Sequence, residues 1–235
     1  MNKVEQLYEG KAKKVFKTDD PKCLIVDYKD DATAFNGEKK GQIVGKGVVN
    51  NTMTNIILQL LEQKGVPTHY VEQISDRETI VKAVKILPLE VITRNISAGS
   101  FAKRYGVEEG IVFDKPTFEL SYKNDDLGDP LMCESHALAL KLVTEEQLAK
   151  VKAYTATVNE TLKEFFLDKG LKLVDFKIEF GLYDGDVILA DEISPDTCRL
   201  WDVETNEKMD KDRFRRDLGK IEETYAEVLR RVKND

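Results

Sequence analysis

Charged side chains occupy every second position from residue 175 to residue 179, within a segment predicted to be a strand, residues 171–182. Because side chains alternate between the two faces of a strand, Asp175, Lys177 and Glu179 project from one face, about 6.6 Å apart. Such carboxylates are ligands for a hard cation such as Mg²⁺, and a lysine between them can hold an anionic oxygen. On this segment alone, a solvated face with weak surface ion pairs is the alternative.

A predicted hairpin brings another carboxylate to the charged face. Residues 183–186, Tyr-Asp-Gly-Asp, are typical of a turn, and residues 187–191 predict the returning strand. A three-residue loop pairs residue 182 with residue 186 and sets Asp191 opposite Lys177. A two-residue Asp-Gly turn would instead put the Asp191 carboxylate on the apolar face, where an unpaired charge is costly. We therefore expect the three-residue loop.

The loop after this hairpin is rich in groups that bind metal ions and anions. Residues 191–202 contain four acids, the arginine Arg199 and the only tryptophan of the chain. Together with the charged strand, this loop favours a functional site over a solvated face.

Two further segments carry signals of phosphate binding. Gly10 lets the backbone approach a phosphate, and the alternating Lys11 and Lys13 share a face of the predicted hairpin. Arg94 at a strand end and Ser100 at a predicted helix start are typical of an anion seat. A plain basic hairpin and a capped helix with a surface arginine are the alternatives. The sequence has no Walker loop and no GxGxxG motif after a strand.

Periodicity and turn signals predict the elements that position these residues. Further strands are predicted at residues 13–17, 23–28, 69–74, 79–85 and 89–94. Helices are predicted at residues 48–64, 100–105, 144–169 and 211–232, the third beginning with a capping box at Thr144 and Gln147. Residues 30–47 show no periodicity and predict a mobile loop.

The last predicted helix carries an apolar stripe that we interpret as core or a subunit contact, with no chemical role. The stripe consists of Phe214, Leu218, Ile221, Tyr225, Val228, Leu229 and Val232. The two histidines, His69 and His136, are also interpreted as structural, because two cannot form a histidine-rich metal site.

The composition describes a globular chain and excludes several classes of protein. Of 235 residues, 41% are hydrophobic and 34% are charged, which excludes a disordered or fibrous protein. The 43 acidic and 36 basic side chains give a formal charge of −7, the wrong sign for neutralising nucleic-acid backbones. The three cysteines form no disulfide framework or metal motif, and no stretch approaches the roughly 18 apolar residues of a membrane span. We expect a cytoplasmic protein without nucleic-acid or membrane partners.

Five motifs, taken together and in this order, resemble the SAICAR synthetase family. They are EGKAK at residues 9–13, RNISAGS at 94–100, KND at 123–125 with DP at 129–130, DFKIE at 175–179, and DEISPDTCRLWD at 191–202. The similarity runs from about residue 6 to residue 232, which is nearly the whole chain.

The resemblance implies an ATP-dependent carboxylate–amine ligase of de novo purine biosynthesis. ATP, L-aspartate and carboxyaminoimidazole ribonucleotide (CAIR) would give SAICAR, ADP and phosphate, with Mg²⁺ required. The implied fold is α+β with an ATP-grasp-like, two-domain architecture. Residues 1–87 would form a small β-rich, ATP-binding domain with one helix, and residues 88–235 a larger α+β domain with the metal and ribonucleotide sites. A homodimer is also expected.

The resemblance assigns roles by position. ATP phosphates would be held by Lys11 and Lys13, and adenine by backbone groups of Lys85, Ile86 and Leu87. The 5′-phosphate of CAIR would be held by Arg94, Ser100 and Arg199, and the reacting groups would be lined by Asp175, Lys177 and Asp196. Mg²⁺ would be held by Glu179 and Asp191. Asn36 stands where an aspartate can help to bind the metal in some members, and its uncharged amide oxygen is a weaker ligand.

Two other functions are weighed against this one. A small-molecule kinase would use the same lysines and acids, although the sequence has no His-Arg-Asp catalytic triplet. A regulatory module that binds nucleotide without turnover would not need lysines, acids and arginines at every motif. Because an activated carboxylate must be kept from water, residues 30–47 and 123–130 are predicted to form a lid.

Overall fold

The computed structural model describes residues 1–234, apart from the side chain of Asn36. The strands are β1 (Lys3–Glu9), β2 (Lys13–Thr18), β3 (Cys23–Tyr28), β4 (Asp31–Ala34), β5 (Lys39–Gln42), β6 (Tyr70–Gln73), β7 (Glu78–Lys82), β8 (Lys85–Ile96), β9 (Val112–Tyr122), β10 (Leu131–Met132), β11 (Leu171–Tyr183), β12 (Asp186–Ala190) and β13 (Cys198–Asp202). The helices are α1 (Lys46–Gln63), α2 (Gly99–Tyr105), α3 (Glu134–Ala139), α4 (Glu145–Asp168), α5 (Asp212–Arg215) and α6 (Ile221–Lys233). The chain therefore mixes helices with antiparallel sheets.

The N-terminal sheet has the strand order β1-β2-β3-β7-β6, and α1 packs against β3, β6 and β7. Asp30 caps the start of α1, because its carboxylate accepts hydrogen bonds from the backbone N–H groups of Gly45 and Gly47. The Arg77 guanidinium holds this carboxylate with two hydrogen bonds of 2.8 and 2.9 Å. The helix ends at Gln63, and Gly65 follows its C-cap with a φ of 84°, which glycine readily adopts. The predicted helix at 48–64 is confirmed, and it begins two residues earlier.

The second sheet has the order β10-β9-β8-β11-β12, with β13 also paired to β11. Strand β11 is thus flanked on both sides, and its even-numbered residues 174–180 are buried. Phe176 and Phe180 share one core with residues of α1 and α4. The predicted boundary at residue 87 falls within β8, and the division into two domains stays a prediction.

Local sequence signals predicted several elements well. The capping box is confirmed: Thr144 accepts a hydrogen bond from the backbone N–H of Gln147, whose side chain accepts one from the N–H of Thr144. The short helix after the RNIS segment is also confirmed, as α2. The strands predicted at 79–85 and 89–94 are shifted at their ends: β7 ends at Lys82, and β8 extends from Lys85 to Ile96.

The predicted three-residue loop between β11 and β12 is wrong. Leu182 pairs with Val187 and Tyr183 with Asp186, which leaves a two-residue turn. Asp184 and Gly185 have φ values of 49° and 92°, the conformation whose twist suits a two-residue hairpin.

The expected cost of that shorter turn is avoided by the backbone at Asp191. The strand ends at Ala190, and Asp191 has a φ of 63°, which takes the chain out of the extended conformation. The Asp191 carboxylate therefore does not lie on the apolar face. The left-handed conformation of this one residue has the effect that the three-residue loop was predicted to have.

The prediction of an irregular loop over residues 30–47 is also wrong. Strands β4 and β5 pair as a hairpin around a short 3₁₀ turn at Phe35–Gly37. Ala32, Ala34 and Ile43 are buried in a small core with Phe214 and Tyr225. Its strand pattern was overlooked because the inward-facing residues of β4 are two small alanines.

The predicted helix at 211–232 is two helices. Between α5 and α6, Asp217, Gly219 and Lys220 have positive φ values, which interrupt the helical hydrogen bonds. The Arg213 guanidinium donates to the carbonyl oxygen of Gly219 at 2.8 Å and stabilises this break. Leu218, predicted on the buried stripe, is exposed at the break.

Within the part of the chain that the structure describes, no helix combines the length and the apolar character needed to cross a membrane.

His69 is a buried link between the two sheets. Its backbone N–H donates to the carbonyl oxygen of Leu189 in β12, and its carbonyl accepts from the N–H of Lys82 in β7. Burial, with a smaller contribution from the Lys13 ammonium, lowers the pKa of His69 from 6.5 to about 4. The folded protein therefore keeps this imidazole neutral at a pH where the unfolded chain protonates it.

We expect His69 to make the protein less stable in acid. Between pH 6.5 and pH 4 the unfolded state binds a proton that the folded state does not, so the free energy of unfolding decreases as the pH falls. The loss is about 3 kcal/mol across this window. Urea denaturation at pH 7 and pH 4 measures it, and a His69→Gln variant should lose this part of the pH dependence.

The exposed His136 provides the matched control, because His136→Gln makes the same substitution at the protein surface. Asp210 works in the opposite direction, because burial and the neighbouring Asp212 raise its pKa to about 7. Asp210 is present in all three proteins, so the difference between wild type and His69→Gln isolates the histidine. Equal pH dependence in those two proteins would contradict the prediction.

Candidate active site

The charged face of β11 is buried rather than solvated. Asp175 is 3% exposed and Glu179 4% exposed, although both are acidic. The surface ion-pair interpretation of this strand is therefore wrong. Charged groups with so little access to water need partners, and these come from β2, β8, β13 and the segments beside them.

At one end of β11, lysines surround a pair of carboxylates. Lys13 contacts Asp191 and lies 3.0 Å from Glu192 Oε2, while Lys123 Nζ donates to Glu179 Oε1 at 2.7 Å. Lys177 lies 3.5 Å from the same Glu179 oxygen. We call Glu179 and Asp191, with these three lysines, the carboxylate–lysine cluster.

The two acids of the cluster respond to one another. Burial and the nearby Asp191 carboxylate raise the pKa of Glu179. Burial also favours the neutral form of Asp191, but Lys13 and Lys177 outweigh it and hold the Asp191 pKa below its usual value. Because the two carboxylates repel each other, a cation placed between them would be stabilised.

The donor set at this cluster fits Mg²⁺ together with a phosphate-bearing substrate. With the side chain of Asn36 left aside, residues 1–234 contain no group of three or more His, Cys, Asp or Glu side chains arranged to hold a metal ion. Mg²⁺ is usually bound by one or two carboxylates, with water and substrate phosphates as its other ligands. Glu179 and Asp191 match that pattern, and the predicted third ligand, Asn36, has its side chain outside the described part.

At the other end of the charged face, two arginines share one carboxylate. Arg94 donates to Asp175 Oδ2 at 2.8 Å, and Arg199 donates to the same atom at 2.9 Å. Arg94 also bonds Glu119 at 2.6 Å and reaches Ser100 Oγ at 3.3 Å, while Arg199 bonds Asp212 at 2.9 Å. The three residues predicted to hold a phosphate, Arg94, Ser100 and Arg199, are thus brought together.

Gly99 permits this arrangement. A Cβ atom at residue 99 would lie 2.3 Å from a guanidinium nitrogen of Arg199, and the φ of 53° is one that glycine readily adopts. The start of α2 can therefore approach Arg199 closely. A larger residue than glycine at this position of the RNISAGS motif would clash with the arginine side chain.

Two adjoining cavities connect the arginines with the charged strand. The smaller, of about 170 Å³, is lined by Ile92, Arg94, Ser100, Asp175, Phe176, Lys177, Asp196, Thr197, Cys198, Arg199 and Arg215. The larger, of about 660 Å³, shares Ser100, Arg199 and Arg215 with it and extends past Phe35 and α2. The predicted substrate residues Asp175, Lys177 and Asp196 therefore face one cavity.

Asp196 is enclosed by donors from its own chain. Its Oδ1 accepts a hydrogen bond from the Tyr225 hydroxyl at 2.6 Å, and its Oδ2 lies 2.8 Å from Lys46 Nζ and 3.3 Å from Lys211 Nζ. Burial favours the neutral acid, but Lys211 and Lys46 outweigh it and hold the pKa of Asp196 below its usual range. Asp196 therefore stays ionised at the cavity wall.

Other predicted residues lie further from these contacts. Lys11 is exposed and pairs at 3.1 Å with Asp125, itself exposed. At the start of β8, Lys85 and Ile86 are exposed, and Leu87 is buried. Lys177 does not face Asp191 as predicted but contacts Glu90 of β8, because the hairpin register differs.

Sequence reasoning missed several residues of the site, among them Lys46, Glu90, Arg215 and Tyr225. Glu90 had a usable signal, since it alternates with Leu89 and Val91 in a strand. Lys46 and Tyr225 had none, because their partner Asp196 is 150 and 29 residues away along the chain.

The chain is similar over almost its full length to proteins of one family. Residues 6–232 match the family described as SAICAR synthetase. The phosphoribosylaminoimidazole-succinocarboxamide synthase of Lachnoclostridium phytofermentans is 63% identical over 232 residues, which cover 99% of each chain.

Solved structures agree with the sequence relatives. The synthase of the same name from Ehrlichia chaffeensis has 45% identity and a TM-score of 0.96, covering 97% of this chain and 98% of that one. A SAICAR synthetase solved in complex with ADP has 45% identity and a TM-score of 0.94, covering 97% of both chains. The match across residues 6–232 and the identity of 63% over nearly the whole length show that this chain belongs to the SAICAR synthetase family.

Proposed function

We propose roles for individual residues in the reaction of this family, the ATP-dependent ligation of L-aspartate to the carboxylate of CAIR, which yields SAICAR, ADP and phosphate. The observation that carries the proposal is one buried strand face that joins a seat for a phosphate to a carboxylate–lysine cluster. The ADP complex of a relative supports ATP as co-substrate. The small-molecule kinase is not favoured, since the relatives are synthases by name.

The chemistry of the reaction explains why both the phosphate seat and the carboxylate–lysine cluster are needed. A carboxylate is a poor acyl donor, because an amine cannot expel oxide from it. A carboxylate oxygen of CAIR attacks the γ-phosphorus of ATP, and ADP leaves with the bonding electrons. The amine of L-aspartate then attacks the acyl carbon, and phosphate leaves. Holding CAIR beside ATP makes the first step effectively intramolecular.

On the nucleotide side, Lys11 and Lys13 hold the ATP phosphates. Lys13 is directed into the site by Asp191 and Glu192, so its ammonium is in place before a phosphate arrives. The start of β8, Lys85 to Leu87, offers backbone groups to adenine.

Glu179 and Asp191 would hold Mg²⁺. The ion would supply positive charge that spreads the negative charge of the transferring phosphoryl group. In the structure, Lys13 pairs with Asp191 and Lys177 with Glu179. When a cation binds these two carboxylates, the two lysines would be free to bind phosphate oxygens.

On the ribonucleotide side, Arg94, Ser100 and Arg199 hold the 5′-phosphate, and the cavity lining adds Arg215. Arg215 is bonded to Asp212 at 2.5 Å and is less enclosed than Arg94. From this anchor, the ring and carboxylate of CAIR extend along β11, past Asp175 toward Lys177 and Asp196.

Several broader features stay predictions. The ATP-grasp-like architecture, with domains at residues 1–87 and 88–235, rests on the resemblance. The homodimer rests on the resemblance and on the apolar stripe of the last predicted helix, and the cytoplasmic location rests on the composition and the cysteine content. The lid is also a prediction, supported on one side by Phe35 at the tip of the β4–β5 hairpin, which borders the larger cavity.

The reaction is tested by ADP release from MgATP and CAIR, with and without L-aspartate, followed by mass analysis of the product. We expect turnover to require both CAIR and aspartate and to yield the succinocarboxamide. Stoichiometric ADP and a stable phosphorylated product without aspartate would favour a kinase instead.

Asp191→Asn should keep the fold and raise the Mg²⁺ concentration needed for half-maximal activity by at least about tenfold, because an amide is a weaker ligand than a carboxylate. The measurement is a Mg²⁺ titration of ADP release at saturating ATP. Asp186→Asn, at the exposed start of β12, is the matched control and should behave as wild type. A wild-type Mg²⁺ requirement in Asp191→Asn would remove Asp191 from the metal site.

Arg215→Ala and Lys13→Met should have opposite effects on the two substrates. Losing a charged hydrogen-bond donor costs about 1.5–3 kcal/mol, or roughly 10- to 100-fold in KM. Arg215→Ala should raise the KM for CAIR and leave that for ATP unchanged, and Lys13→Met should do the reverse. Steady-state kinetics with each substrate varied in turn separates them, and a raised KM for ATP in Arg215→Ala would show that Arg215 does not serve the CAIR phosphate.

A further inference from the structure

Tyr225 is a buried residue of α6 with a polar contact at the site. Its ring is 1% exposed and packs in the small core that contains Ala32, Ala34 and Phe214. Its hydroxyl donates a hydrogen bond of 2.6 Å to Asp196 Oδ1. The packing alone would be met equally well by phenylalanine, so the hydroxyl calls for another explanation.

Lys46 reaches the same carboxylate from a different helix. It is the first residue of α1, it is 0% exposed, and its Nζ lies 2.8 Å from Asp196 Oδ2. Lys211 Nζ approaches the same oxygen at 3.3 Å. Three separate segments, the first residue of α1, the second turn of α6 and the residue before α5, therefore converge on one side chain.

This arrangement contributes little to the stability of the fold, because its charged groups lose their hydration. Removing a lysine and a carboxylate from water costs several kcal/mol for each ion, and hydrophobic side chains of similar volume often do as well or better. Stability alone therefore does not account for a fully enclosed ammonium, a carboxylate and a phenol at one point. The position of Asp196, on the wall of the smaller cavity beside Lys177 and Asp175, suggests a role in the site instead.

The contacts also restrict what Asp196 can do. A carboxylate has about four lone-pair positions, two on each oxygen. Lys46 and Lys211 occupy Oδ2, and Tyr225 occupies one position on Oδ1. About one lone pair, on Oδ1, is left for a ligand. The three donors thus fix both the charge of Asp196 and the direction in which it can accept a further hydrogen bond.

We propose that Tyr225 and Lys46 are positioning residues of the ligation reaction, which hold Asp196 so that its one free lone pair is directed at an N–H group of a substrate. The proposal rests on the proposed function. The substrate group is a hydrogen-bond donor, either the amino group on the ring of the ribonucleotide or the amine that attacks the activated carboxylate. Tyr225 and Lys46 act through Asp196 and do not touch the substrate themselves.

The test is a double-mutant cycle. Tyr225→Phe should lower kcat about tenfold, the effect of one lost hydrogen bond on an aligned group, with the KM for ATP unchanged. In an Asp196→Asn background, the same substitution should change kcat less than twofold, because the group it positions is already lost. Steady-state ADP release from all four proteins, at saturating MgATP, CAIR and aspartate, provides the data.

Controls separate this role from a structural one. Tyr154→Phe, on α4, removes a hydroxyl that makes no hydrogen bond to the described residues and should leave kcat unchanged. Thermal unfolding of each variant reports on folding. Lys46→Met provides a second variant if Tyr225→Phe does not fold, and it should lower kcat in wild type with less than a twofold effect in Asp196→Asn.

Each outcome decides the proposal. A wild-type kcat in Tyr225→Phe, or an equal loss in the wild-type and Asp196→Asn backgrounds, would overturn it. Wild-type turnover in the same assay confirms the ligation reaction, so such a result would leave that function standing. Absence of aspartate-dependent ADP release in the wild-type protein would overturn the function and, with it, this proposal.

Discussion

The burial of charged side chains along β11 is the constraint on which the rest of the structure depends. Asp175 and Glu179 lie on a strand that is flanked on both sides and nearly excluded from water. Burying a charge without a partner costs a large part of the net free energy of unfolding of a protein. The neighbouring segments must therefore supply opposite charges. This requirement accounts for the arginines of β8 and β13 and for the lysines at the carboxylate–lysine cluster.

We interpret these ion pairs as contacts that keep cationic side chains in position for ligands, and not as contacts that stabilise the fold. The net contribution of a buried pair to stability is small or unfavourable once the loss of hydration is counted. Instead, Asp175 holds two arginines in place, and Glu179 and Asp191 hold three lysines. These cationic side chains lie where phosphates are expected to bind. Such preorganisation means that little side-chain reorientation is needed when the substrates bind.

The sequence predicted what local chemistry determines. The alternation of Asp175, Lys177 and Glu179 placed them correctly on one face, and the capping box at Thr144 marked the start of a helix. The turn between β11 and β12 was predicted wrongly because strand register alone does not show that one residue, Asp191, can adopt a positive φ. The break before α6 was overlooked for a similar reason: it depends on three positive φ values and on Arg213, whose effect is not visible in a helical periodicity.

Partners that are distant along the chain were beyond the reach of the sequence argument. Lys13 meets Asp191 across 178 residues and Lys46 meets Asp196 across 150, and no periodicity relates such positions. The resemblance to a family named Lys13, Asp191 and Asp196, because they belong to recognisable motifs. It could not name Lys46 or Tyr225, which lie outside the motifs and matter through the side chain they hold.

The C-terminal helix illustrates how packing and chemistry can share one residue. Its apolar stripe was interpreted as core, and the burial of Tyr225, Val228 and Val232 agrees with that interpretation. Yet the helix docks on the β4–β5 hairpin and α1, the same elements that bring Lys46 to Asp196, so its packing and the geometry of that carboxylate are set by the same contacts. Since α6 is separated from α5 by a short break, it can satisfy this docking without following the axis of the preceding helix. An apolar pattern therefore establishes that a residue is buried, but it does not exclude that a single polar atom of that residue serves the site.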